Sequence, residues 1–430
     1  MTARAPLAET LVAAFRAGLA ALDPVQLVAR ALPDAPEVPG RVALLAVGKA
    51  ALAMARGAHQ RWPDRIHFSL VVTTAAQLPP PLPLSGVAPP EGRVGGAAPF
   101  WAAGPAGHPV PDERSVGAAE AALEMAHGLR EGDLLLALIS GGASALLAAP
   151  PPGVSLADKR ALVAAMIDAG APIQDINLVR RHLSRVKGGR LAAAAAPATV
   201  FSLILGDVVG GQPHDIGSGP TVPDPTRVDE ARAALARWAP RLTHLAPALG
   251  ESLDPTAAAD RVHHRILADP DALATEIAHA LRLAGLAART APAEPGDAAD
   301  MATRRAAQAA ALRPGDALVI PCEPTLALPD RRGAGGRCGW IALSTLRALR
   351  ALPPDIAFLC AASDGVDGSS GAAGAIVTRA DAERIDPTAI DAALAAFDDA
   401  AVHRALGTHL GGGPTGHNLT DVHVLARAPG

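Results

Sequence analysis

The sequence predicts an α/β protein of two domains, and three observations lead there. The chain has 430 residues, too many for one ordinary core. Short runs rich in Val, Ile and Leu each lead into a small-residue turn and then a helical pattern. They are Arg41–Val47, Phe68–Thr73, Leu134–Ile139, Val200–Leu205, Ala317–Ile320 and Ile356–Cys360. Strands alternating with helices favour a largely parallel sheet, whose ligands collect at the carboxyl ends of the strands. Turn signals from Leu242 to about Arg261 separate two strand-rich halves, so the domains are expected over 1–245 and 262–430. Gln77–Gly107, dense in Pro and Gly and including LPPPLPL, is expected to be irregular.

Composition narrows the function classes. With 50 % hydrophobic and 19 % charged residues the chain is globular, and the absence of tyrosine excludes a tyrosine general acid. A net charge of −4 offers no general attraction to nucleic acid, so a basic patch must be local. Cys322, Cys338 and Cys360 form no CxxC pair and suit reduced thiols. The opening MTARAPLAETLVAAFRAGLAAL carries arginine inside an amphipathic pattern, unlike a signal peptide, and no uninterrupted apolar run suits a membrane span. The expected address is the cytoplasm, with no membrane and no nucleic acid as partner.

Lysine is rare: only Lys49, Lys159 and Lys187 occur, and arginine fills every other cationic position. A lysine kept against that bias marks a place that wants a compact ammonium. Lys49 and Lys187 lie beside glycines, whereas Lys159 sits in an ordinary helical pattern.

NLVRRHLSRVKGGR, Asn177 to Arg190, concentrates six residues able to carry positive charge. Asn177 is expected to cap a helix from Leu178, with Arg181, Ser184 and Arg185 on one face and Gly188-Gly189 loosening or ending it. Guanidinium and ammonium groups beside glycine N–H donors suit a phosphate or a carboxylate; a solvated basic face is the plainer alternative. Ser140-Gly141-Gly142, between a buried-looking strand and a helical run, can present amides to an anion or serve only as a tight turn. Asp207, Asp364 and Asp367 follow strands in glycine-rich loops, where carboxylates suit Mg²⁺ carrying a nucleotide phosphate or merely mark turns. Gly411-x-Gly413-x-x-Gly416 has too little chain after it for a dinucleotide unit, and no GxxxxGK[ST] occurs. The scattered histidines show no metal-ligand spacing, and His108 reads as a loop anchor or substrate contact.

Together, VGKAALAMA, GHPVPDE, SGGASALL, INLVRRHLSRVKGGRLA, GSGPTVPDPT, SDGVDGSSGAAGA and GPTGHNLTD resemble the MOFRL-type glycerate 2-kinases, which are often labelled hydroxypyruvate reductases. The resemblance runs from Val47 to Asp421. It implies a larger N-terminal, Rossmann-like layered α/β domain and a smaller C-terminal MOFRL domain with the active site in the cleft between them. It implies ATP and Mg²⁺, glycerate or a related small hydroxy acid as substrate, and a homodimer as one expected assembly. By resemblance Lys49 and Arg337 are catalytic; of the strand-end carboxylates, Asp207 or Asp364 would hold Mg²⁺ or orient the substrate hydroxyl, so Asp207 is expected to be catalytic or a metal ligand. Ser140, Gly141, Gly142, Asn177, Arg180, Lys187, Gly188, Thr415, Gly416 and Asn418 would surround the substrate and phosphates.

The chain departs from that pattern in three places. Cys338-Gly339-Trp340 stands where the family usually has Asn-Gln-Glu, Gly371 where it often has an acid, and Gly206 where a serine is usual. Two further readings stay open, the second motivated by the lost Asn-Gln-Glu run. One is an NAD(P)H-dependent hydroxypyruvate reductase; the other is a diverged member that acts on, or only binds, another small acid.

Overall fold

A computed structural model describes residues 6–77, 100–108, 110–329 and 331–430, so LPPPLPL lies outside the described residues. The chain forms two compact α/β units.

The first unit is built on six strands: β1 (Val42–Val47), β2 (Ile66–Thr73), β3 (Phe100–Pro105), β4 (Leu134–Ile139), β5 (Thr199–Leu205) and β6 (Val262–Ala268). Their order is β3-β2-β1-β4-β5-β6, and the four pairings from β3 through β5 are parallel. Every residue of β1 and β4 is buried, as expected of central parallel strands covered on both faces. Val47 pairs with Val72 and Ile139, and Ile139 with Ile204, so the carboxyl ends of these strands lie level. The strand order reverses between β1 and β4. In open α/β sheets that switch point is where a crevice for ligands forms.

Two expectations are corrected here. Phe100–Pro105, inside the stretch expected to be irregular, is strand β3 at one edge of the sheet, where its final Gly104-Pro105 is tolerated. The 242–261 transition packs inwards: Leu245 and Leu249 join Ile176, Val179 and Leu235 in one apolar cluster, and β6 then extends the same sheet. The chain changes unit at 267–268.

The second unit holds β7 (Ala287–Thr290), β8 (Glu294–Asp297), β9 (Asp316–Thr325), β10 (Ile356–Ala362), β11 (Ala372–Thr378), β12 (His409–Gly411) and β13 (Asp421–Arg427). The order is β12-β11-β10-β13-β9-β7, with β8 also paired to β9. Here the central pairings β11/β10, β10/β13 and β13/β9 are antiparallel, whereas the sequence reading favoured parallel strands. β11 turns back along β10 after a loop, and β13, from the far end of the chain, inserts antiparallel between β9 and β10. The helix Arg337–Leu349 covers this sheet with Ile341, Leu346 and Leu349. Each such side chain contributes about 1.5–3 kcal/mol on burial.

This unit also takes the N-terminal helix Pro6–Ala21 and the segment Asp207–Gly210. Pro6–Ala31 is apolar enough by composition to cross a membrane, but half of its window is buried and the helix breaks before Pro24. Leu11, Phe15 and Leu19 face inwards, and Gly18 lets the helix approach Ile277 of the helix Pro270–Leu283. Packing, rather than contiguity in sequence, therefore decides membership of a unit.

Gly374, at φ +138°, is the tightest point of the second sheet: a Cβ there would sit 2.1 Å from the carbonyl oxygen of Cys360. Gly374→Ala is expected to lower unfolding stability by about 3 kcal/mol or more, through a backbone clash and a disfavoured φ together. Denaturant titration of the two proteins checks this.

Candidate active site

In the first unit the switch point is closed by glycine. Gly48, at φ +128°, ends β1, and a Cβ there would lie 2.1 Å from Ser140 Oγ. That approach lets Lys49 N–H donate to the Gly141 carbonyl at 2.9 Å and Ala50 N–H donate to Ser140 Oγ at 3.1 Å. Gly142, at φ +86°, leaves room for His108: a Cβ on Gly142 would meet the ring at 3.2 Å and the Lys49 stem at 3.6 Å. Lys49, His108 and the Ser140–Gly142 turn thus form one cluster. Among the described residues nothing accepts from the N–H groups of Gly141 and Gly142. Open amides beside a partly buried ammonium suit an anion.

The basic segment beside this turn is organised differently from expectation. Its helix runs Ile173–His182, starting directly after Pro172, so Asn177 lies inside it and caps nothing. Asn177 stands one turn before Arg180 on the same side. The helix ends before Leu183, well short of Gly188-Gly189. Arg181 is buried and ion-paired to Asp224 at 3.1 Å and Asp215 at 3.3 Å, and Arg185 is paired to Glu120. His182 bonds the Gly250 carbonyl and Thr226, while Arg190 donates to the carbonyls of Arg181, Lys187 and Gly250. The face formed by Arg181, Ser184 and Arg185 is therefore not an anion site, because carboxylates distant in sequence neutralise its arginines. Gly188 N–H donates to the Ser218 carbonyl at 3.1 Å, and Gly189 N–H to that of Gly219 at 2.7 Å. Gly188 lets Ser252 pack closely and has no amide to offer a ligand.

Arg180 and Lys187 remain, and both converge on Ser144. Lys187 Nζ donates to the Ser144 carbonyl at 2.6 Å, to Ser144 Oγ at 3.0 Å and to the Leu147 carbonyl at 3.3 Å. These three bonds use all its hydrogens, so Lys187 acts on a ligand only by charge and by holding the 143–147 turn. Burial pushes its pKa well below the usual lysine value, and Arg180 and Lys159 add to the shift. Arg180 Nη2 donates to Ser144 Oγ at 2.8 Å. Among the described residues no carboxylate pairs with Arg180, which leaves most of its fork for an anion. Lys159 differs from its expected ordinary position. It shares the buried stripe of Leu156, Leu162 and Met166, donates to the Leu183 carbonyl at 2.5 Å, and is pushed down to about 7, chiefly by burial.

The second unit gathers acids around a helix end. Arg337 opens the helix Arg337–Leu349 and pairs with buried Asp421, the first residue of β13, at 3.1 Å. Asp367 accepts from Cys338 N–H at 3.0 Å and Gly339 N–H at 2.8 Å, which satisfies two of that helix's open amides. Asp399 approaches the same end, and a Cβ on Gly339 would stand 2.2 Å from its Oδ2. Burial first, and Asp367 next, raise Asp399 to about 7. Burial likewise raises Asp367 and Asp421, with Arg337 opposing it in both. The departures from the family pattern thus have structural work here. Gly339 makes room for Asp399, Trp340 bonds the Leu394 carbonyl and stacks on Phe397, and Gly371 takes φ +72°.

The remaining candidates of this unit sit on laced loops. Thr415 Oγ1 donates to the Ser363 carbonyl at 2.6 Å and its N–H to the Asp364 carbonyl at 3.2 Å. Gly416 takes φ +78°, and Asn418 Nδ2 donates to Asp207 Oδ2 at 3.1 Å. Asp207 and Asp364 therefore bracket the 415–418 turn. Among the described residues no three His, Cys, Asp or Glu side chains are placed to hold a metal ion. A carboxylate or two is nevertheless what Mg²⁺ asks of a protein when phosphates and water supply the other ligands.

Ser144, Ser218, Asp399 and Asp421 are absent from the sequence-derived site. Ser144, Ser218 and Asp421 lie within the quoted motifs, which was the available signal; Asp399 lies outside all of them.

Residues 10–253 match the model described as a domain of unknown function, DUF4147, and residues 316–421 match the MOFRL family. A protein of Agrobacterium vitis with a provisional hydroxypyruvate reductase name is 36 % identical, covering 96 % of this chain and 92 % of its own. The glycerate 2-kinase of Pyrococcus horikoshii is 33 % identical over 74 % of this chain and 76 % of its own. The crystal structure of a glycerate kinase from Thermotoga maritima superposes with a TM-score of 0.79 at 28 % identity, covering 98 % of this chain and 99 % of the other.

Lys159 binds a proton in the unfolded chain up to the usual 10.5 but holds it when folded only to about 7. Between those values the unfolded state carries more protons, so its contribution to stability rises with pH. Lys159→Met is expected to flatten part of the rise in unfolding free energy from pH 7 to pH 10. Denaturant melts at several pH values measure it.

Proposed function

This chain belongs to the MOFRL-type glycerate 2-kinase family, and we propose that it transfers the γ-phosphoryl group of ATP to the 2-hydroxyl of D-glycerate, giving 2-phosphoglycerate. The observation that carries this reading is the anion site at the sheet's switch point. There Arg180, the open amides of Gly141 and Gly142, and Lys49 offer positive charge with no carboxylate among the described residues to quench Arg180.

In this reading Arg180 and the glycine amides receive the carboxylate of the acid, with Asn177 beside them. Lys49 and Arg337 offset charge on the phosphoryl oxygens, where such groups can supply ~10³–10⁵ in rate. The substrate hydroxyl oxygen bonds to the γ-phosphorus as the bond to the bridging oxygen of ADP breaks. Asp207, oriented by Asn418, accepts the hydroxyl proton. Thr415 and Gly416 shape the loop that faces the phosphates. Mg²⁺, when bound, would neutralise the nucleotide phosphates, and Asp364 would hold it. The buried, free state of all three cysteines accords with a cytoplasmic address.

The second reading, reduction of hydroxypyruvate, is favoured by the name of the Agrobacterium relative and by the strand order, which dinucleotide-binding sheets share. Against it, β1 leads into Gly48-Lys49-Ala50 without the glycine fingerprint that seats a pyrophosphate. Fold alone does not assign function.

Incubation with ATP, Mg²⁺ and D-glycerate should give one monophosphorylated acid, identified by mass and phosphorus NMR as the 2-phosphate. Enzyme-dependent loss of NADH absorbance with hydroxypyruvate, and no phosphorylated acid, would replace this reading with the reductase. Lys49→Ala is expected to lower kcat by about 10²-fold or more with a smaller change in KM. Turnover within a few-fold of the parent removes Lys49 from the chemistry.

A further inference from the structure

Ser144 Oγ and Ser218 Oγ lie 3.0 Å apart. Ser144 Oγ also receives Arg180 Nη2 at 2.8 Å and Lys187 Nζ at 3.0 Å. A hydroxyl oxygen has two lone pairs and one hydrogen. With both lone pairs taken by cations, the Ser144 hydrogen must point to Ser218. The Ser218 hydroxyl then accepts from Ser144 and has its own hydrogen left to give. Among the described residues no acceptor lies within reach of it, although Ser218 is 1 % exposed. A buried donor without an acceptor costs about 1–3 kcal/mol. Ser218 carries a second cost: its backbone is left-handed, at φ 61°, which a residue with a side chain seldom adopts.

Three contacts hold it there. Its carbonyl accepts from Gly188 N–H, its own N–H donates to the Asp215 carbonyl at 3.1 Å, and neighbouring Gly217 packs on Ala143. Glycine would fit this φ with less strain, so the hydroxyl is what the position gains.

We infer that Ser218 is a substrate-binding residue, donating its hydroxyl hydrogen to a carboxylate oxygen of the small acid held beside Arg180. The inference rests on the kinase reading for the identity of that acid. The two cations set the direction of the hydrogens, so the Ser144–Ser218 pair can only donate outwards. It therefore favours a group that accepts, such as a carboxylate, over an ammonium in the same place.

The test is calorimetric titration of the full chain with D-glycerate, and separately with MgATP, for the parent, Ser218→Gly and Ser144→Ala. Ser218→Gly removes the hydroxyl and relieves the backbone, so it should fold with equal or greater stability. It should bind D-glycerate about 10- to 100-fold more weakly, the range for a hydrogen bond to a charged group, with MgATP affinity unchanged. Ser144→Ala should weaken D-glycerate as well. Binding of D-glycerate by Ser218→Gly within about two-fold of the parent overturns the inference, while phosphorylated product from the parent leaves the kinase reading standing. A parent that binds D-glycerate, loses it in Ser218→Gly, and makes no phosphorylated product upholds Ser218 and overturns the kinase reading. A parent that binds no D-glycerate overturns both.

Discussion

A buried ammonium with all its hydrogens committed is the constraint on which the first unit's site depends. Lys187 binds two carbonyls and a hydroxyl in the 143–147 turn, and among the described residues no carboxylate pairs with it. Desolvating a cation costs several kcal/mol unless its hydrogen bonds are complete. Completing them fixes the turn that carries Ser144, and through it Arg180 and the strand end at Ser140. Among the described residues no carboxylate pairs with Arg180 or Lys187, so both cations keep their charge around that turn. In the proposed reading a bound anion meets that charge.

The second unit solves the opposite problem. Asp367, Asp399 and Asp421 are buried close together around one helix end and one guanidinium. The helix amides at Cys338 and Gly339 favour the charged form of Asp367, while burial and mutual repulsion disfavour charge on all three. Asp399 and Asp421, each raised to about 7 chiefly by burial, take up protons near neutral pH. Glycines at 335, 336 and 339 are what allow the carboxylates this close, since a Cβ at any of them would meet Asp367 or Asp399 within 2.2 Å.

Local pattern and distant partner divide the legibility of this protein. Buried strands such as Val42–Val47 and Leu134–Ile139 announce themselves because several apolar residues in a row repeat one signal. Gly48 and Gly142 could be read as special because their turns follow such strands. Strand β6, with exposed histidines and an arginine in its middle, gives no such signal. The antiparallel insertion of β13 between β9 and β10 depends on pairing across about a hundred residues, which no window of sequence contains. The N-terminal helix shows its amphipathic face plainly, yet nothing local says that Ile277 will cover it.

The sequence by itself determined the α/β class, the glycine turns at strand ends, the family, and the segments from which a site is drawn. Each is a property of neighbouring residues: periodicity, backbone freedom, or a motif of fixed spacing. Tertiary structure decided which charged groups in those segments remain available. Asp224 and Glu120 neutralise Arg181 and Arg185, while Arg180 donates to Ser144 and pairs with no carboxylate among the described residues. Lys159 looked ordinary and is buried; Gly188 looked like a donor and has already donated. Hydrogen-bond capacity and charge are finite, and the residues that use them up come from distant elements of the fold.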